Sequence, residues 1–340
     1  MLGNRLVERG QGLIVFGPAG CGKSVAALQA CAEWAVGLAG LHIHPARALR
    51  IVVLQTEDSL NDYRETMAGI LASGCFTEGK ITLLKQNLII LPPVPGGTNV
   101  DLQNLLNAAA LEHKPDLVMV NPMLAFCPGD PARELGGLLY QTIDPIIKRH
   151  QVGFFGVHHT AKTNNRDTTG YGQHDYQYLA AGDARVANWP RAMIQIEPMA
   201  KGVYRFRATK RWQRTCWTCE GQSTSERYFR HHDSEIRWID ATPEQAREAK
   251  AVEDYKRILE VLPKHDQPGI CRDRIRVEAK QKLEIGKGKA DSWLKLALED
   301  GTVERMEVEP ADNPGSGANE GTRPRRKEAR FRRKVVANMP

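Results

Sequence analysis

The sequence predicts an α/β fold around a mostly parallel sheet, followed by a smaller second unit. Three observations carry that prediction. Short apolar runs at 13–16, 51–54, 117–120 and 152–157 alternate with stretches of helical spacing, the pattern of strands joined by crossover helices. The first run leads into Gly17, Pro18, Ala19, Gly20, Cys21, Gly22, Lys23 and Ser24, which fits G-x-x-x-x-G-K-[ST]. Near residue 240 the buried runs give way to charged amphipathic stretches.

Taken in order, residues 24–39 are mostly Ala, Val, Leu and Trp and predict a buried helix. Ser59 is placed to cap a helix whose face is Tyr63, Met67, Ile70 and Leu71. Residues 81–91 read as a strand closing on Pro92 and Pro93, and Leu102, Leu105, Leu106, Ala109 and Ala110 mark a helix. The run 117–120 stops at Asn121 and Pro122, and a helix is expected over 135–147 despite Pro145. The run 152–157 ends in His158 and His159, and 160–177 is a long polar loop. Residues 193–196 and 203–208 predict a hairpin. Beyond it, helices over 244–262, 272–283 and 289–299 with an alternating stretch at 302–308 have the plan of a winged helix-turn-helix. The domains are therefore expected at 1–240, 241–309 and 310–340, the last a disordered basic tail rich in Gly, Pro, Asn and Arg.

Composition narrows the function classes. With 340 residues, 41% hydrophobic and 26% charged, the chain excludes collagen, coiled coil and wholesale disorder. It has no run of about 18 apolar residues for a membrane span. The opening segment has no signal-peptide pattern, and the seven cysteines follow no disulfide framework, so the expected compartment is the cytoplasm. Of the formal charge of +7, residues 311–340 hold eight Lys or Arg against three acids, so the excess belongs to the tail rather than the body.

The chemistry is concentrated at strand ends. Glycines in the 17–24 loop let backbone N–H groups turn toward phosphate oxygens, and the helix after it offers its N-terminus to the same anion. ATP and Mg²⁺ are the expected ligands, with Lys23 on the β and γ phosphates and Ser24 on the metal. Asn121 stands where such sites usually end a strand in Asp, and it would reach the metal only through water. Glu57, at the carboxyl edge of the second strand, is the candidate general base. A histidine at the end of the 152–157 run is placed to sense the γ phosphate. In the long loop, Lys162, Arg166 and Tyr171 combine charge and ring in the way that suits single-stranded DNA. Cys216 and Cys219 lack a second ligand pair at zinc-site spacing and are expected to bind no metal.

Taken together, the loop at 17–24, Thr56-Glu57-Asp58-Ser59, the segment 120–126 and Val157-His158-His159-Thr160-Ala161-Lys162 resemble the RecA-fold ATPases of the RepA type, the hexameric helicases of plasmids, and related ATPases of phages and mobile elements. The resemblance covers about residues 10–215. It implies a ring, most simply a homo-hexamer, that hydrolyses ATP between subunits and moves on single-stranded DNA during replication. It assigns Glu57 to water activation and His159 to γ-phosphate sensing. It also implies a cation acting across the subunit interface. Ala181 stands at the family's arginine-finger position, which leaves Arg191, Lys210 or Arg211 for that role. Contacts with duplex DNA or replication proteins would fall to the C-terminal unit. The rival expectation is an ATP-gated DNA-binding regulator with little hydrolysis, favoured by Asn121 and Ala181. A third is a recombinase-like filament.

Overall fold

The computed structural model describes residues 1–92, 96–160, 171, 175–180, 184–200, 202–264, 266–308 and 328–334. The chain divides into two compact units, Met1–Ala246 and Arg247–Pro340.

The first unit is built on a nine-stranded sheet. Its parallel strands are β1 (Gly12–Gly17), β2 (Ile51–Gln55), β3 (Leu88–Ile90), β4 (Leu117–Asn121), β5 (Gly153–His159) and β6 (Ala192–Ala200). Antiparallel β7 (Val203–Lys210), β10 (Glu226–His231) and β11 (Trp238–Ala241) extend one side, and β8 (Thr218–Cys219) pairs with β9 (Gln222–Ser223) in a separate ribbon. The order is β11-β10-β7-β6-β1-β5-β4-β2-β3. β5 therefore lies between the strand that carries the glycine loop and the strand that ends in Asn121. Strands covered on both faces need no polar alternation. β1, β2 and β4 are buried at every residue.

Alternate side chains on these strands enter two separate cores. Leu13, Val15, Val53 and Val157 pack with α1 (Lys23–Ala35), while Ile14, Phe16, Leu54 and Val120 pack with α4 (Asn99–His113). Ser59 caps α2 (Leu60–Leu71) in a reciprocal capping box with Asp62, as the sequence predicts. One local expectation fails. Residues 81–91 are mostly helix, α3 (Glu78–Asn87), followed by the three residues of β3. Ile81, Leu84 and Leu88 repeat every three to four residues and side with the core, so the helical period wins over a short apolar run that fits either state. The helix around Pro145 persists because a wide π turn, Leu138–Ile143, joins α5 (Pro131–Gly137) to α6 (Asp144–His150). Proline lacks an N–H and crowds the carbonyl four residues back, and a wide turn relieves both problems. Short α7 (Ala184–Asn188) precedes β6.

α8 (Pro243–Lys256) leads into the second unit. There α9 (Arg272–Leu283) and α10 (Lys287–Glu299) pack on a sheet of order β12-β14-β13, formed by β12 (Ile270–Cys271), β13 (Val303–Val308) and β14 (Glu328–Arg333). The last strand corrects the expectation of a tail disordered from 310 onward. Phe331 is 1% exposed in a core with Ile275, Trp293 and Val303, and Arg332 bonds Glu304. Ala329 and Phe331 alternate with arginines, so one face is apolar and the other charged, the period of a strand with one face on a core. Residues 310–327 and 335–340 of the expected tail lie outside the described residues.

Candidate functional site

The loop after β1 takes its shape from two left-handed glycines. Gly20 and Gly22 both have φ of +74°, which costs a residue with a Cβ about 1–2 kcal/mol. Gly22 is the N-cap of α1, whose first turn contains no acidic side chain and whose cap has no side-chain bond. Its leading N–H groups therefore present a positive end to an anion. Lys23 is 5% exposed and donates from Nζ to the Pro18 carbonyl at 2.6 Å. Burial pulls its pKa below the usual lysine range, against the attraction of Cys21 and Glu57. Cys21 is buried, and burial raises its thiol pKa, so the loop holds a thiol rather than a thiolate.

The neighbouring strand ends complete the site. One cavity of about 320 Å³ is lined by Gly20, Gly22, Lys23, Ser24, Glu57, Asn121, Val157 and His159. Ser24 donates from Oγ to Asn121 Oδ1 at 3.4 Å. Asn121 is 1% exposed, and its backbone carbonyl accepts from Thr56 at 3.2 Å, tying the end of β4 to the turn after β2. Glu57 is exposed on that turn. Gln55, 1% exposed, fixes the turn by donating from Nε2 to the Asp58 carbonyl at 2.6 Å and accepting from the Asp58 N–H at 3.3 Å. That clamp is absent from the sequence reading. Its signal is a glutamine at the end of an otherwise apolar strand. Asp58 is half-buried beside Glu57, and burial, then Glu57 and Asp62, raises its pKa.

Strand order brings the histidine in. β5 pairs with β1 so that His159 sits opposite Gly17, and the Thr160 N–H donates to the Gly17 carbonyl at 3.0 Å. His158 points into the interior with no exposure, which leaves His159 as the one of the pair on the cavity. Burial and then the Lys23 charge lower the His159 pKa, so at pH 7 it is a neutral imidazole. The Ser24 hydroxyl, with the Asn121 amide oxygen placed to hold a metal-bound water, offers hard-oxygen chemistry that would suit Mg²⁺ in a site where phosphates and waters supply the remaining ligands.

The three cations considered for action between subunits lie elsewhere. The Arg191 N–H donates to the Gly12 carbonyl at 2.8 Å, and Lys210 pairs with Met193, so both mark the amino end of β1. The glycine loop is at the other end of β1, roughly 17 Å from Gly12 and about 10 Å from Ile14, the residue beside Met193, at about 3.3 Å per residue. Lys210 donates to the carbonyls of Ala187 and Asn188 at 3.0 and 2.9 Å. Burial, then Arg211 and Arg191, pushes its pKa down to about 8. Arg211 is likewise lowered by burial and then by Arg191. The three form one repelling cluster outside the cavity of their own chain. Of the expected DNA contacts, Lys162 and Arg166 lie outside the described residues, as does Ala181. Tyr171 is half-buried, edge-on to Tyr176 at 5.8 Å. Cys216 and Cys219 are free cysteines.

Fold and loop together define an α/β domain with a phosphate-loop motif after its first strand. Residues 1–165 match the sequence model of a family described as AAA domain. No curated protein matches the sequence. Among solved structures the chain is similar to the crystal structure of the RadB recombinase, with a TM-score of 0.45 and 14% identity over 69% of this chain and 92% of that one. Among the described residues no helix is long and apolar enough to cross a membrane.

Proposed function

We propose that the chain is an ATP- and Mg²⁺-dependent motor acting on single-stranded DNA, a cytoplasmic homo-hexameric ring helicase of plasmid, phage or mobile-element replication. The carrying observation is the single cavity that gathers Lys23, Ser24, Glu57, Asn121 and His159 from four separate segments. Lys23 exchanges the Pro18 carbonyl for β- and γ-phosphate oxygens. Mg²⁺, when bound through Ser24 and by water through Asn121, neutralises charge on the phosphates. Glu57 orients a water in line with the γ phosphorus and takes its proton. His159, neutral beside the loop, hydrogen-bonds the γ phosphate, and the loss of that bond passes down the chain to the segment with Lys162, Arg166 and Tyr171. Arg191 or Arg211 supplies the trans cation. Lys210 is the weaker candidate, because it already serves two carbonyls.

A specific observation favours a second reading. The buried end of β4 carries a neutral amide, so the metal lacks its usual carboxylate, and an ATP-gated regulator that binds duplex DNA or replication proteins through the second unit needs little turnover. ATP hydrolysis with and without single-stranded DNA decides between the two. A motor shows DNA-stimulated turnover that both Lys23→Ala and Glu57→Gln abolish. Lys23-dependent ATP binding without turnover leaves the regulator.

A further inference from the structure

β7, β10 and β11 carry an aromatic cluster to the phosphate-loop edge of the sheet, beyond the part of the chain that matches the family. Trp238 donates from its indole N–H to the Gly22 carbonyl at 3.1 Å. A Cβ on Gly22 would lie 2.6 Å from His231 Cε1 and 2.8 Å from Trp238 Cζ2, so both rings rest directly on the loop backbone. The His231 and Trp238 rings overlap with centroids 3.9 Å apart, and Tyr204 stands edge-on to them at 5.1 and 4.9 Å. Phe206 supports the indole from within, at 5.2 Å. Trp238 is 2% exposed, whereas Tyr204 and His231 are only partly buried. Burial holds His231 below the ordinary histidine range, so it is an uncharged ring at pH 7.

A core made only for packing has no need to leave two rings open beside a polar loop. A nucleotide whose phosphates lie on the 17–24 loop carries its base only a sugar's length away. We propose that the exposed flank of Tyr204 and His231 is the nucleobase platform of the site, with Trp238 fastening that platform to the loop at Gly22. This rests on the reading of the loop as a nucleoside triphosphate site, and it deepens that reading by assigning the base. Stacking tolerates any base, because each has a π face, so the platform adds affinity and places the triphosphate with little choice among nucleosides.

The test compares ATP with inorganic tripolyphosphate by calorimetry in Mg²⁺, on the full-length chain. Wild type should bind ATP at least tenfold more tightly than tripolyphosphate. Tyr204→Leu and His231→Leu should each weaken ATP by roughly tenfold and leave tripolyphosphate unchanged, the scale of one lost base–ring stack. His231→Phe, which keeps a ring, should retain ATP affinity. The triphosphate of 2-aminopurine riboside gives a second readout. Its fluorescence should be quenched on binding to wild type and should recover on Tyr204→Leu. Equal ATP affinity in wild type and both leucine variants, with binding still lost in Lys23→Ala, overturns the platform and leaves the triphosphate reading standing. Failure of wild type to bind either compound overturns both.

Discussion

Replacing Gly22 and Gly20 with alanine, one at a time, separates two costs that the loop imposes. Both residues have φ of +74°, so each alanine pays for a left-handed backbone, about 1–2 kcal/mol. The surroundings differ. A Cβ at Gly20 meets nothing within 4 Å, whereas at Gly22 it meets His231 and Trp238 below 3.0 Å. Forcing a carbon into that contact adds about 1–3 kcal/mol of overpacking. Gly20→Ala should therefore cost about 1–2 kcal/mol, and Gly22→Ala about 2–5 kcal/mol. Urea unfolding followed by tryptophan fluorescence is the assay, because five of the six tryptophans (Trp34, Trp189, Trp212, Trp217 and Trp238) lie in the first unit. A double variant, Gly22→Ala with His231→Ala, should recover part of the excess. Equal costs for the two single variants would refute the contact between the rings and the loop.

Further outcomes follow from the same physics. Burial raises the Glu33 pKa to about 7, from an unfolded value near 4.5, with Asp240 adding to it and the Gln29 bond opposing it. Ionising Glu33 therefore costs stability as pH rises from about 4.5 to 7, and Glu33→Gln should stabilise the chain by about 1–3 kcal/mol at pH 8 and little at pH 4.5, read from urea midpoints. His159 and His231 are both held below the ordinary histidine range, so the unfolded chain takes up protons first, and stability falls as pH drops below about 6.5. His159→Gln with His231→Phe should flatten that slope in thermal unfolding between pH 7 and 5. Phe331→Ala should destabilise the second unit by about 3–5 kcal/mol, seen as faster hydrogen exchange in α9 and β13. Asn121→Asp should lower the Mg²⁺ concentration at half-maximal ATP binding by roughly tenfold, the worth of one added carboxylate near the metal.

What the sequence made legible was what local pattern controls. The strands of the parallel core announced themselves as continuous apolar runs, and Lys23, Ser24, Glu57, Asn121 and His159 stood at their carboxyl ends, where parallel topology brings separate strands to one edge. Residues 81–91 stayed illegible because Ile81, Leu84 and Leu88 satisfy a strand and a helix alike, and only the core against which they pack decides. β14 was hidden by its arginines, whose charge suggested a solvated tail, while Phe331 alone marked the buried face. The Tyr204, His231 and Trp238 cluster lies some 180–216 residues from the loop it touches, and no period or spacing spans such a distance.

Asn121 sets the electrostatic character of the site. Lys23 brings the one positive side chain to the cavity, His159 is neutral, and Glu57 is the one acid among the residues that line it. An aspartate at 121 would place a second negative charge, 1% exposed, against the Ser24 hydroxyl, and a buried charge is costly unless a cation lies beside it. With asparagine, on the proposed reading, the phosphate loop would accept its anion without first needing the metal. On the proposed reading, the metal would be held chiefly by the nucleotide's own oxygens and by Ser24. The same substitution thus loosens Mg²⁺ and favours the anion. That is why nucleotide binding in this chain should persist at low Mg²⁺ while any turnover falls away, and comparing the Mg²⁺ dependence of binding with that of hydrolysis reads the two effects separately.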